Sequence, residues 1–211
     1  MNKELWLRRI RNIAGFLGMI LPWLSLLGSA LYSKYVFPLE DSFWRNLSIS
    51  ETYYITPALP IVLGASSIVL MCYDGYNLKD NIVTTISGVF GMPIVLFPCN
   101  PSLPIFENVG YFCIPVSVSN VIHCVSAVVF FLLLAYNSLF LFTLGDSDTK
   151  MKKIRNLIYR VCGVGMIVSM AMVFLPHFYA KTFIVEALAL TFFGISWLVK
   201  GQPFGLLSDK N

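Results

Sequence analysis

The chain has 211 residues, 57% of them hydrophobic and only 12% charged, with a mean hydropathy of +0.74. An ordinary soluble domain is about half apolar and roughly a quarter charged, so the composition excludes a water-soluble globular protein and places most of the surface in lipid. The net charge of +4 comes from basic residues that flank apolar runs, where they meet lipid phosphates. They do not form the aromatic-interleaved surface that nucleic acid needs, and no nucleic-acid partner is expected.

Uncharged runs extend from Asn12 to Ser33, Thr52 to Tyr73, Asn81 to Phe106, Asn108 to Gly145 and Val161 to Ala180. Each can hold a spanning helix of ~20 residues. A sixth stretch, Thr182 to Val199, is interrupted once, by Glu186, and ends at Lys200, Gly201 and Pro203, which are helix-stopping residues. The expected fold is therefore all-α, one polytopic bundle of six transmembrane helices over residues 1–211. Met1 to Tyr32 begins like a signal peptide, but its apolar run is too long and no A-x-A-like site closes it, so a retained helix is expected. No repeat, low-complexity tract or interdomain linker is visible.

Pro93, Pro98, Pro101 and Pro104 limit the regular part of the third span to roughly 81–97, and Pro93 is expected to kink it. Charge topology retains this span. Lys3, Arg8, Arg9 and Arg11 precede the first helix, and Lys150, Lys152, Lys153, Arg155 and Arg160 precede the fifth; both clusters belong inside. Four crossings between them satisfy that. With both termini cytoplasmic, only Lys34, Arg45 and Lys181 of the fifteen basic residues lie outside.

Polar groups at membrane depth are the informative ones, because each needs a partner or a wet cavity. His123 lies ~10 Å below the outer end of the fourth span, and Glu186 lies ~9 Å below the outer end of the sixth. The matched depths predict that they face one another. Two readings stand: a structural hydrogen bond between helices, or a ligand pocket or proton-handling site. Asn120 is three residues before His123 and shares its face. Ser48, Ser50, Tyr53 and Tyr54 lead into the second span above that pair and offer hydroxyls and rings for a headgroup. His177 belongs at the outer surface. At the inner end, Asp74, Asp80, Asn156, Tyr159, Arg160 and Lys200 are expected to form salt bridges that close the bundle.

Two histidines fall short of a catalytic zinc site, which commonly takes three protein ligands; no metal and no cofactor is expected. A Ser50, His123 and Glu186 catalytic set lacks any nucleophile-elbow signature. Cys99 and Cys113 bracket the outer Pro-rich segment, where they either form a disulfide or remain free thiols. Asn46, Leu47, Ser48 matches a glycosylation acceptor pattern.

The stretches SISETYY (Ser48 to Tyr54), DNIVTTISG (Asp80 to Gly88), VLFP (Val95 to Pro98), FFLLLAYNSLFLF after His123, RNLIYRVCG (Arg155 to Gly163) and the FGISWLVKG that ends Glu186 to Gly201 resemble a group of bacterial six-helix membrane proteins. The architecture is distantly similar to the Frag, DRAM and Sfk membrane families. The resemblance implies a multi-pass protein of the cell membrane, a bacterial inner membrane, and carries no residue roles. The leading functional expectation is a bundle that holds a lipid or other amphiphile in an outer-leaflet cavity, with Glu186 and His123 at its polar end. The alternatives are a lipid-headgroup hydrolase or transferase with His123 as base, and proton-coupled transport, for which a six-helix chain would have to form a homo-oligomer.

Overall fold

The computed structural model describes residues 3–75, 77–101, 107–145, 149–205 and 207. Pro104, Asp146 and Asn211 lie outside the described residues. Among those described there are seven α-helices: α1 (Lys3–Tyr35), α2 (Asp41–Asn46), α3 (Ala58–Met71), α4 (Leu78–Leu96), α5 (Val116–Tyr136), α6 (Lys150–Ala171) and α7 (Lys181–Gly201). The fold is all-α but for a two-residue antiparallel pair, Asn108–Val109 with Ile114–Pro115. Four helices are long and apolar enough to cross a membrane: α1, α5 with its continuation to Leu141, α6 and α7.

The six long helices form a closed ring in chain order, each packed on the next and α7 returning to α1. The end of the ring where α1 begins and α7 ends is filled by rings stacked edge to face: Trp197 lies 5.4 Å from both Tyr73 and Phe142, and Phe142 lies 5.5 Å from Tyr159. The outward faces carry large apolar side chains such as Trp23, Ile61, Val121, Val125, Leu157 and Val161. An apolar exterior of this extent suits lipid and not water.

Helices in lipid gain little from apolar burial and approach through small residues. A Cβ on Gly194 of α7 would stand 2.8 Å from the Gly15 carbonyl of α1, and a Cβ on Gly15 would stand 2.9 Å from the Gly194 carbonyl. On α4, a Cβ at Gly88 would meet the Ser67 carbonyl of α3 at 2.5 Å. Glycine at these crossings lets the backbones touch.

The second apolar run does not become one long helix. Residues Glu51–Tyr54 form a 3₁₀ turn, and α3 starts only at Ala58, after Pro57. Its 14 residues span ~21 Å of a ~30 Å hydrocarbon layer. The chain before it is a strap through residues 47–57 in which Leu47, Ser48, Ile49, Glu51 and Thr52 are buried. Non-helical backbone is tolerated at such depth where protein covers it. α4 runs through Pro93 to Leu96. α5 passes into a π-turn at Asn137–Leu141, a wider coil that brings Phe142 against Trp197.

Candidate functional site

The strap leaves backbone donors without helical partners, and their satisfaction builds the outer site. The Ile49 N–H donates to the Glu186 carboxylate of α7 at 2.6 Å. The Ser48 hydroxyl donates to both carboxylate oxygens at 3.0 and 3.2 Å, and the Ser50 hydroxyl to one at 2.7 Å. Two backbone bonds fasten the same junction: Phe183 N–H to the Leu47 carbonyl at 2.9 Å and Ala180 N–H to the Arg45 carbonyl at 2.8 Å. Glu186 thus stands in for the helical carbonyls that the strap lacks.

His123 is 3% exposed. Its Nε2 lies 3.0 Å from the Ser50 hydroxyl, and its Nδ1 lies 2.9 Å from the Phe97 carbonyl at the end of α4. The matched depths of His123 and Glu186 therefore reflect a shared neighbour: they meet through the Ser50 hydroxyl and not directly. Asn120 does not face Glu186; its side-chain oxygen accepts from the Asn100 N–H at 2.9 Å. With the Ser119 hydroxyl on the Pro98 carbonyl and Tyr54 on the Cys99 carbonyl, both at 2.7 Å, three successive carbonyls after α4 are gripped by side chains. Tyr53 packs edge to face on Tyr54 at 5.3 Å.

Proton bookkeeping limits what this chain of groups can do. Phe97 offers only an acceptor, so His123 Nδ1 carries a hydrogen. Two arrangements then fit the same heavy atoms. In one, His123 is an imidazolium donating to Ser50, and Ser50 donates to a Glu186 carboxylate. In the other, protonated Glu186 donates to Ser50, and Ser50 donates to neutral Nε2. They differ by a concerted shift of two protons through the serine oxygen. In a catalytic triad the histidine stands between serine and acid and the acid orients it. Here the serine stands in the middle and the Phe97 carbonyl orients the ring, so the set has the geometry for a proton shift and lacks the order that activates a nucleophile.

Among the described residues, cavities open at both ends of the bundle. At the outer end a groove of about 530 Å³ is lined by Tyr53, Ile55, Thr56, Pro57, Pro60, Val95, Leu96 and Tyr111. Neither Glu186 nor His123 lines it, although the strap they hold forms one wall. At the inner end a second cavity, about 510 Å³, lies among α1, α4, α6 and α7. Of the inner residues expected from sequence, Asp80, Tyr159 and Lys200 line that cavity. Arg160 is exposed instead, and Asp74 accepts from the Asn81 side chain at 2.9 Å. Arg11 and Tyr73 were not legible as partners: the Arg11 guanidinium donates to the Tyr73 hydroxyl at 2.7 Å, and that hydroxyl donates to Asp80 at 3.2 Å. The available signal was Arg11's place on the α1 stripe of Leu7, Ala14 and Leu21, all buried.

Cys99 and Cys113 are free thiols, as are the other three cysteines. Cys99 is half-buried, and Cys113 sits exposed in a left-handed turn at φ +50°. His177 pairs with Asn46 at 3.1 Å on the surface. Among the described residues no group of three or more His, Cys, Asp and Glu side chains assembles that could hold a metal ion. No protein-family model, curated protein or solved structure matches this chain.

Proposed function

We propose that the chain is a six-span protein with both ends on the cytoplasmic side that holds the apolar part of a membrane lipid, or a similar amphiphile, in the outer groove. In this reading α3 and the strap together make the second crossing, and α4, 19 residues long, makes the third. The observation that carries the reading is the groove itself. Its walls are apolar, it has the volume of a small-molecule site, and the hydroxyls of Tyr53, Thr56 and Tyr111 stand among its lining residues. Glu186, Ser50 and His123 act as positioning residues that pin the strap, so they shape the groove without touching its occupant.

The test is native mass spectrometry of the full chain released from detergent micelles, with and without Val95→Trp, which fills the groove. The wild type should retain added phospholipid and the variant should lose most of it. Equal retention by a folded variant would refute the outer site. Six crossings are tested separately, by reporters placed in each loop.

A further inference from the structure

The strap junction is held by a hydrogen count that a change of one proton upsets. Two gaps separate Glu186 from His123: 2.7 Å between the carboxyl and the Ser50 hydroxyl, and 3.0 Å between that hydroxyl and Nε2. Each gap needs one hydrogen, because bare lone pairs repel at hydrogen-bond distance. Ser50 brings one, and the hydrogen on His123 Nδ1 is turned to the Phe97 carbonyl at 2.9 Å. The second gap is therefore filled by one titrating proton, which belongs to the pair and sits on Nε2 or on the carboxyl.

Loss or gain of that proton removes a contact. Without it, the carboxylate and a neutral Nε2 compete for the single serine hydrogen, and one gap is left with facing lone pairs. With a second proton, Nε2–H and the carboxyl O–H both point at Ser50, and the imidazolium loses its counter-charge. The bonds from the Ile49 N–H and the Ser48 hydroxyl also weaken when they end on a neutral carboxyl and not on a carboxylate.

Other titratable groups border the junction. Cys99 after α4 and Cys124 on α5 lie close enough to sense the Glu186 charge, and Glu51 of the strap borders Cys99 and Tyr54. Basic groups on the neighbouring elements bind elsewhere. Lys34 at the end of α1 lies over the Tyr35 ring, Arg45 of α2 pairs with Asp41, and Lys181 at the start of α7 reaches the Val173 and Leu175 carbonyls.

We propose that Glu186, Ser50 and His123 form a proton-dependent latch on the strap, tightest when the pair holds one proton, and that the latch sets how firmly the groove keeps its lipid. The second half rests on the lipid-binding reading above. Tyr53, Ile55, Thr56 and Pro57 of the strap line the groove, and the Tyr53 N–H is bonded to the Ser50 carbonyl at 3.3 Å, so movement at the latch reaches that wall. By linkage, a lipid that favours the latched strap also favours the one-proton state.

The experiment follows amide hydrogen exchange of the full chain, without added lipid, from about pH 4 to about pH 9, a span that covers the ordinary ranges of Glu and His. Protection of residues 48–56 is expressed relative to free peptide, which divides out the intrinsic pH dependence and leaves local opening. The wild type should give a bell-shaped profile whose maximum exceeds either limb at least about tenfold, the effect of one charge-assisted hydrogen bond. Glu186→Gln, whose amide fills the first gap and leaves the serine hydrogen to Nε2, should stay protected on the alkaline side where the wild type declines. Ser50→Ala, which parts the pair, should lack the maximum. A flat wild-type profile overturns the proposal. So do profiles of one shape for wild type and Glu186→Gln, which would assign the pH dependence to the thiols or Glu51. Retention of phosphatidylcholine by the wild type should then fall a few-fold from the maximum to the alkaline limb. Constant retention, in a chain where Val95→Trp abolishes it, overturns the control of the groove. Retention that Val95→Trp leaves unchanged counts against the groove alone, and the latch is still decided by the exchange profiles.

Discussion

Replacing Ser50 by alanine removes the one atom that joins His123 to Glu186. Two hydrogen bonds disappear: 2.7 Å to the Glu186 carboxyl and 3.0 Å to His123 Nε2. Glu186 keeps Ser48 and the Ile49 N–H, but the imidazole nitrogen of a 3% exposed side chain is left without its partner. A bond to a charged group contributes ~1.5–3 kcal/mol and a stranded buried polar atom costs ~1–3 kcal/mol. The two overlap, so a loss of about 3 kcal/mol is expected for Ser50→Ala. Ser48→Ala removes longer bonds from an oxygen pair that retains two other donors and should cost about 1 kcal/mol. For a chain of this size each kcal/mol shifts Tm by roughly 2–4 °C, giving about 6–12 °C against about 2–4 °C. Thermal scans at one fixed rate in one detergent make the comparison sound even if unfolding is irreversible. Equal shifts for the two variants, or a Ser50→Ala shift within about 1 °C of wild type, would show that the serine bridge does not bear on the junction.

Glu186→Gln should stay within about 1 kcal/mol of wild type, because its amide can donate to Ser50 while its oxygen accepts the Ile49 N–H, the arrangement that suits a neutral His123. Glu186→Leu strands the Ile49 N–H and the Ser48 hydroxyl, while Ser50 keeps His123, and should cost at least ~2–3 kcal/mol, measured by the same scans. Gly194→Ala places a methyl group 2.8 Å from the Gly15 carbonyl and should destabilise by ~1–3 kcal/mol. Gly64→Ala meets no atom within 4 Å and should be neutral or stabilising by up to about 1 kcal/mol, a contrast that thermal scans on the pair will register. Cysteine labelling tests sidedness. An impermeant maleimide added to intact cells should modify exposed Cys113 rapidly and should reach exposed Cys72 only after the membrane is opened. Cys99 should react slowly even at mildly alkaline pH, because burial pushes its thiol up, with Glu186 and Glu51 adding to the effect, and the thiolate is the reactive form.

The all-α class was legible in the sequence, because length and hydropathy are additive properties of a local run and need no neighbour to be read; the sequence offered six such runs, and among the described residues four helices are long and apolar enough to cross a membrane. It also placed Glu186 and His123 at one depth, since helical rise is constant along a chain. It did not determine that Thr52 to Tyr73 breaks into a strap and a 14-residue helix. That break is stabilised by Glu186, which from elsewhere in the chain accepts the strap's Ile49 N–H and its Ser48 and Ser50 hydroxyls. Nor did it show Asn120 turning to the Asn100 backbone, or Cys99 and Cys113 remaining free: both depend on which way a side chain points after the helices have packed. The buried Arg11 and Arg155 make the point most clearly. In the sequence they are two more members of basic clusters that flank apolar runs. Only closure of the ring, with α7 returning to α1 through glycine contacts, turns them inward to one cavity, because the direction of a long cation is decided by the helices around it and not by its own neighbours in the chain.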